Sequence, residues 1–220
     1  MDAVPALLDH LLLGCGDLDR GIAFVEEHLG VRAAFGGVHP GRGTQNALLS
    51  LGARHYLEII APDPKQAGPN ASQGSRAESA VRRLRELNEP RLVGWAAHPG
   101  NLEEFAARLR RAGVAFDGPW PGSRQRPDGR LLQWKTLALA DDRGGVLPFF
   151  IEWSAHSMHP SEDAPHGAKL TQFSIAGPVP SDLASVSKSL NLDVTIEKSE
   201  EPQLRASFAG HSGNVMNVTS

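Results

Sequence analysis

Cysteine is almost missing from the 220 residues; Cys15 is the only one. That excludes an internal disulfide and a cysteine-based zinc cluster, and it agrees with a reducing compartment. Cys15 ends the apolar stretch from Leu11 and reads as a small buried residue. Long hydrophobic runs are missing too. None approaches the roughly 20 residues that span a bilayer. The start, Met1-Asp2-Ala3-Val4-Pro5, has no basic segment of the signal-peptide kind, so the expected location is cytoplasmic, with no membrane partner. Charge of one sign does not dominate: the formal net charge is −3. The basic residues lack the interleaved aromatics of a strand-binding groove, so no nucleic acid is expected. There is no G-x-x-x-x-G-K-S/T loop, no G-x-S-x-G elbow, no H-E-x-x-H and no G-x-G-x-x-G after a strand, and no nucleotide cofactor is expected. Gly41-Arg-Gly43-Thr44 is only a Gly-rich turn.

What is present is a repeat. Leu7 to Gly14 reads as a strand, and Asp17 then caps a helix with the stripe Leu18, Ile22, Val25 and Leu29, stopped by Gly30. Strands follow at 32–35, 45–51 and 55–61. Leu92 to Ala97 restarts the pattern, with Asn101 as cap, the stripe Leu102, Phe105, Leu109 and Ala112, and strands at 115–116, 131–138 and 147–153. A connector helix at about 75–88 joins these two βαβββ modules, which span about 7–62 and 92–153. A fainter third copy occupies 169–220. The fold class is therefore α+β: two paired βαβββ modules within 1–155 that enclose a cavity, plus a degenerate third module.

Alternation along the first strand puts Leu8, His10 and Leu12 on one face and Leu11 and Leu13 on the other. It likewise groups Tyr56 with Glu58, and Phe150 with Glu152. A carboxylate inside Tyr-Leu-Glu-Ile-Ile or Phe-Phe-Ile-Glu-Trp needs a cation, a proton or hydrogen-bond donors, because burying it alone costs several kcal/mol. Arg124, Arg126, Arg130 and Lys135 lie in or beside the Pro/Gly-rich loop Gly118-Pro-Trp-Pro-Gly122, from which they could turn to an anionic ligand. Trp95 and Trp134 read as core or wall aromatics. His156, His159 and His166 fall in the connector 154–167 and read as ordinary loop residues.

The motifs Leu8-Asp-His10-Leu-Leu-Leu with Asp17-Leu-Asp, Tyr56-Leu-Glu58-Ile-Ile-Ala-Pro62 and Pro148-Phe-Phe-Ile-Glu152-Trp together resemble the vicinal oxygen chelate superfamily. Within it, His39-Pro-Gly-Arg-Gly-Thr44 and Asn46-Ala-Leu resemble the glyoxalase-like domain proteins. The resemblance covers about residues 7–170. It implies metal ligands on the first and last strands of each module, at His10, Glu58 and Glu152, with the fourth position falling on Gly94, which has no side chain. It also implies pocket roles for His39 and Asn46.

One imidazole and two carboxylates would suit Zn²⁺, Mn²⁺, Fe²⁺, Ni²⁺ or Co²⁺. The metal would then polarise neighbouring substrate oxygens while Glu58 or Glu152 moves a proton. The competing reading has His10 hydrogen-bonded to Glu58 or Glu152 with no metal. The expected function is a divalent-metal-dependent lyase, isomerase or dioxygenase acting on a small oxygen-rich molecule; the alternative is a metal-free protein that binds or sequesters one. Arg126, Arg130, Trp134 and Lys135 complete the substrate-binding set. The third module offers only Gln172 and Asn217 at the equivalent positions. Its apolar face needs a partner, either the two-module body or a second copy in a homodimer.

Overall fold

The structure, a computed structural model, describes residues 4–66, 74–126 and 128–220. Each expected βαβββ unit forms. The first runs β1 (Leu8–Gly14), α1 (Leu18–Leu29), β2 (Ala34–His39), β3 (Thr44–Ser50) and β4 (Tyr56–Pro62). After α2 (Gly74–Arg85) the second runs β5 (Arg91–Ala97), α3 (Leu102–Arg111), β6 (Phe116–Gln125), β7 (Leu131–Leu139) and β8 (Phe149–Trp153). The caps act as their residue types dictate: Asp17 accepts from the Arg20 N–H, Asn101 from the Glu104 N–H, and Gly30 turns left-handed at φ 71° to end α1.

The two units merge into one eight-stranded sheet in the order β2-β3-β4-β1-β5-β8-β7-β6. Within each unit the first and last strands pair in parallel, and β1 meets β5 antiparallel at the centre. His10 lies opposite Ala96 and Leu12 opposite Gly94, so the units are related about the middle of that pair. The sheet curls until its edges touch. Gly37, at φ 135°, backs onto Arg124 and the Gln125 carbonyl, where a Cβ would come within 2.9 Å of that oxygen. Outside, α1 packs on the β3–β4 side of the sheet and α3 on the β7–β8 side, and Leu11, Leu13, Leu57, Ile59, Trp95, Leu137 and Phe150 belong to the core on that outer face. Cys15 joins this core, and burial pushes its thiol up to about 12, so it is an inert filler.

Two sequence expectations are corrected. The segment read as a Pro/Gly loop is the edge strand β6, whose neighbour β7 pairs with it from Phe116 to Gln125. An edge strand tolerates proline because one side of it has no hydrogen-bonding neighbour, and a register shift between Asp117 and Trp120 takes up Pro119. On β1, a shift between Leu8 and His10 breaks strict alternation. Leu8 therefore joins Leu11 and Leu13 in the core, and Asp9 and His10 both escape it.

The last unit, β9 (Lys169–Gly177), α4 (Pro180–Ser189), β10 (Thr195–Lys198), β11 (Gln203–Ala209) and β12 (Val215–Thr219), repeats the element order but not the pairing. Its sheet runs β10-β9-β11-β12, and the strand parallel to its first is the one directly after the helix. Gln172 and Asn217 both lie opposite Ser207, one on each flanking strand. Of the two partners its apolar face could have, the structure shows the body of the same chain. Phe173 packs edge-on against Trp95 at 5.1 Å, and Asp193 accepts the Ala6 N–H at 3.0 Å. Gly210 lies directly on the end of α1, where a Cβ would fall 2.2 Å from the Leu29 carbonyl.

Gly210→Ala therefore has to lift the small sheet from α1. We expect it to lower the unfolding free energy by about 1–3 kcal/mol, the usual cost of overpacking. Urea denaturation measures this, and an unchanged midpoint would mean the sheet is not seated there.

Candidate functional site

The inner face of the curled sheet is polar on the first unit and aromatic on the second. One row runs Leu48, Glu58, Leu12, Gly94 across β3, β4, β1 and β5; the next runs Ser50, Tyr56, His10, Ala96, Phe149. His10 stacks on Tyr56 with centroids 4.5 Å apart and meets the edge of Phe149. Farther along, Trp134 tilts against Trp153 at 5.4 Å.

A continuous string of buried polar groups lies against this wall. His159 contacts Ser161 Oγ through Nδ1 (2.8 Å) and Asp9 Oδ2 through Nε2 (3.2 Å). Asp9 takes a further bond from the Trp153 indole N–H (3.1 Å) and holds His10 Nδ1 at 2.6 Å. The other side of His10, Nε2, lies 3.4 Å from Glu58 Oε2. Asn46 donates its amide to Glu58 Oε1 at 2.6 Å, and the same nitrogen is 3.3 Å from His39 Nε2. His39 Nδ1 ends the string on Thr44 Oγ1 at 2.8 Å. Asp9, His10, Asn46 and Glu58 are all under 8% exposed.

Burial alone would raise both carboxylates. Hydrogen bonds and charge from His10 and His159 outweigh it at Asp9, which is held well below the carboxylate range. At Glu58 burial is likewise overcome, by His39, His10, Arg124 and the Asn46 bond. His39 behaves oppositely, because burial pushes it down to about 4 despite the Glu58 charge.

The end of the barrel where β1 begins is closed by the connector. Its short 3-10 helix, Pro160–Glu162, is pinned by Ser50 Oγ to the Ser161 carbonyl (2.8 Å) and by the Arg54 N–H to Ser161 Oγ (3.1 Å). Ala164 packs on Leu48 and Tyr56. Arg126 and Arg130 both grip Asp163, at 2.8 and 2.6 Å.

The structure thus brings together His10, Glu58, His39 and Asn46 and sends several other expected site residues elsewhere. Glu152 and Lys135 are cross-strand neighbours on the outer face. Glu152 accepts the Leu102 N–H at 2.7 Å, at the positive end of α3, and Lys135 pairs with Glu103 at 3.0 Å. Glu152 is therefore corrected from metal ligand and catalytic group to helix cap, and Lys135 from substrate contact to surface ion pair. The reason is parity: Phe149, Phe150, Ile151 and Trp153 are apolar on both faces of β8, and Phe150 turns out to lie under α3 against Phe105. Arg126 and Arg130 are corrected from ligand contacts to clasps of the connector. Trp134 does face inward. Asp9 is the buried group that sequence reasoning left unassigned; His159, expected as an ordinary loop residue, and Arg124, expected on a loop facing an anionic ligand, are also buried here. Asp9 carried the same signal as Glu58, a carboxylate inside an apolar strand; His159 carried none.

These residues do not fit the superfamily's metal. Glu152 points away, and Gly94 contributes no donor. The Asn46 amide nitrogen sits between Glu58 and His39, where a cation bridging the two would have to go, and the Arg124 guanidinium adds positive charge beside Glu58. Among the described residues no group of three His, Cys, Asp or Glu is disposed to hold a metal ion.

A family model described as a glyoxalase-like domain matches residues 8–190. A crystal structure of a hypothetical protein from Staphylococcus aureus is similar over 96% of this chain and 84% of its own, at 17% identity and a TM-score of 0.68. Methylmalonyl-CoA epimerase from Streptomyces coelicolor, in complex with 2-nitronate-propionyl-CoA, aligns over 70% of this chain and 99% of its own, at 21% identity and a TM-score of 0.48. The epimerase from Mycobacterium tuberculosis aligns over 70% and 90%, at 20% identity and 0.46. No curated protein matches the chain. No helix among the described residues is long and apolar enough to cross a membrane.

His39 is neutral in the folded protein down to about pH 4 and takes its proton near 6.5 when unfolded. Between those values the unfolded state binds more protons, so stability rises with pH across the window, by at most ~1.4 kcal/mol per pH unit. His39→Gln is expected to flatten that slope. Denaturant titrations from pH 4 to 7 compare the two, and equal slopes would show that His39 protonates freely in the fold.

Proposed function

Because the chain belongs to the glyoxalase-like domain family of the vicinal oxygen chelate superfamily, we propose that its barrel binds a small oxygen-rich molecule against His10, His39, Asn46 and Glu58, without a metal ion at those residues. The observation that carries this reading is the Asn46 amide nitrogen, 2.6 Å from Glu58 and 3.3 Å from His39. A neutral hydrogen-bond donor already satisfies the carboxylate that a metal would need.

The chemistry open to such a site is proton transfer. Glu58 stays ionised, is shielded from water, and has an imidazole nitrogen 3.4 Å from one oxygen and another 3.6 Å from the other. It would take a proton from a carbon beside a carbonyl, or from a hydroxyl. The imidazole of His10, oriented by Asp9, would share that proton. This is isomerase or lyase chemistry; the dioxygenase reading lacks its ligand set. A second reading, binding without turnover, is favoured by one observation: the Asn46 hydrogen bond and the neighbouring charges lower the Glu58 pKa and so weaken it as a base.

Elemental analysis of protein purified without chelator, then dialysed against Zn²⁺, Mn²⁺, Fe²⁺, Ni²⁺ or Co²⁺, tests the metal-free claim. We expect no stoichiometric metal, and no change in content for His10→Ala. One metal per chain that disappears in His10→Ala and Glu58→Gln would reverse the reading. In chelator, a panel of hydroxy acids, catechols and α-oxoaldehyde hemithioacetals should contain ligands that raise Tm, since saturation at 100 times Kd stabilises by about 2.7 kcal/mol. Glu58→Gln should abolish turnover of any substrate found while leaving its binding measurable.

A further inference from the structure

Among the described residues, Arg124 is the only buried lysine or arginine, at 3% exposure. It rises from the edge strand β6, whose hairpin neighbours Arg126 and Arg130 are both spent on Asp163. Arg124 itself donates no hydrogen bond and makes no ion pair with a described residue, and its Nε is sealed from solvent without a partner. Glu58 lends it favourable charge from beyond ion-pair distance, but that carboxylate already has Asn46, His10 and His39 around it. A desolvated guanidinium with no acceptor is unfavourable by several kcal/mol unless something else supplies oxygen lone pairs.

A second orphan lies beside it. Asn46 gives its nitrogen to Glu58, which fixes the amide orientation, and its Oδ1 is buried with no donor. The two unmet groups are gathered at one spot on β2. A Cβ at Gly36 would fall 2.5 Å from Asn46 Oδ1 and 3.1 Å from Arg124 Nη1, so only glycine lets them approach the strand so closely. What is missing there is an acceptor pair with negative charge for the planar fork and, next to it, one hydrogen-bond donor for the amide oxygen.

Resting on the small-molecule reading above, we propose that the ligand is a 2-hydroxycarboxylate, its carboxylate held by Arg124 and its hydroxyl donating to Asn46 Oδ1. A carboxylate is planar like the guanidinium, and a hydroxyl on the adjacent carbon lies within reach of a second group beside the first. The carbon bearing that hydroxyl then sits next to Glu58, the group assigned to proton transfer. The aromatic wall of Tyr56, Phe149, Trp134 and Trp153 faces the remaining substituent.

The test is a matched ligand series on the full-length protein by calorimetry and 1H–15N spectra of the arginine Nε–H group: mandelate, mandelamide, phenylacetate and inorganic phosphate. We expect mandelate to bind wild type about 10-fold or more tightly than mandelamide, the usual scale for a hydrogen bond to a charged group. Phenylacetate, without the hydroxyl, should be about 3–10-fold weaker than mandelate. The Arg124 Nε–H resonance should shift with the acids and not with the amide. In Arg124→Gln the acid–amide ratio should fall to about 1, with Arg124→Lys between. If neither variant folds, the wild-type series and the Nε–H shift still decide. Equal binding of mandelate and mandelamide would overturn the anionic assignment while leaving a small-molecule site intact. Equal binding of mandelate and phenylacetate, or displacement by phosphate alone, would overturn the hydroxycarboxylate class. Binding of none of the four would overturn this inference, and a panel without a single stabilising ligand would overturn the small-molecule reading as well.

Discussion

Two carboxylates, Asp9 and Glu58, sit where water scarcely reaches, and the interior is organised around keeping them ionised. An isolated buried carboxylate costs several kcal/mol even after the protein relaxes. Here the compensation comes from widely separated parts of the chain: His10 beside Asp9 on β1, His39 on β2, Asn46 on β3, Arg124 on β6, Trp153 on β8 and His159 in the connector. Because Asp9 and Glu58 each hold one side of the His10 ring, their environments are joined. Taking away one donor changes the ring and both acids together, as expected of a connected polar network.

The curled sheet makes that network affordable by separating labour between its halves. The first unit supplies polar groups, and the second supplies Phe149, Trp134 and Trp153 as a wall. At the seam, glycine does what a larger residue could not. Gly37 lets β2 touch Arg124 and the Gln125 carbonyl, and Gly36 leaves room for the Arg124 guanidinium, where a Cβ would come within 3.1 Å of Nη1. These contacts need no regular hydrogen-bond ladder between β2 and β6. The barrel is closed by side chains and one close backbone approach.

Much of the architecture is legible in the sequence because caps and stripes repeat with their punctuation intact: Asp17 and Asn101 both bond the backbone three residues on. His10 and Glu58 stand out as polar residues on strands otherwise apolar, His39 and Asn46 are reached only through the family resemblance, and the structure brings the four side by side. The readings that failed did so where the local signal was silent or inverted. β8 is apolar on both faces, so nothing in it says which way Glu152 points. The prolines at 119 and 121 disguise a strand as a loop, so nothing local separates the buried Arg124 from Arg126, Arg130 and Lys135, which the structure spends on ion pairs. A bulge at the start of β1 puts Asp9 on the inner side against strict alternation, and His159 reaches it only through tertiary folding. The third unit shows the same limit at larger scale, since element order can be read from residues whereas strand pairing is decided by what each edge finds.

The bond between Asp9 and His159 joins residues 150 apart in the chain. Closing so long a loop is entropically unfavourable early in folding and becomes favourable only when the intervening sheet already holds the ends near each other. The order of synthesis adds to this. Asp9 leaves the ribosome before either βαβββ unit is complete, and its imidazole partner in the connector only after both have been made. Until then the inner carboxylate has one fewer donor and the open end of the barrel admits water. The polar string is thus a product of completed folding and not a nucleus for it, so the chain acquires its site in the same step in which it shuts it.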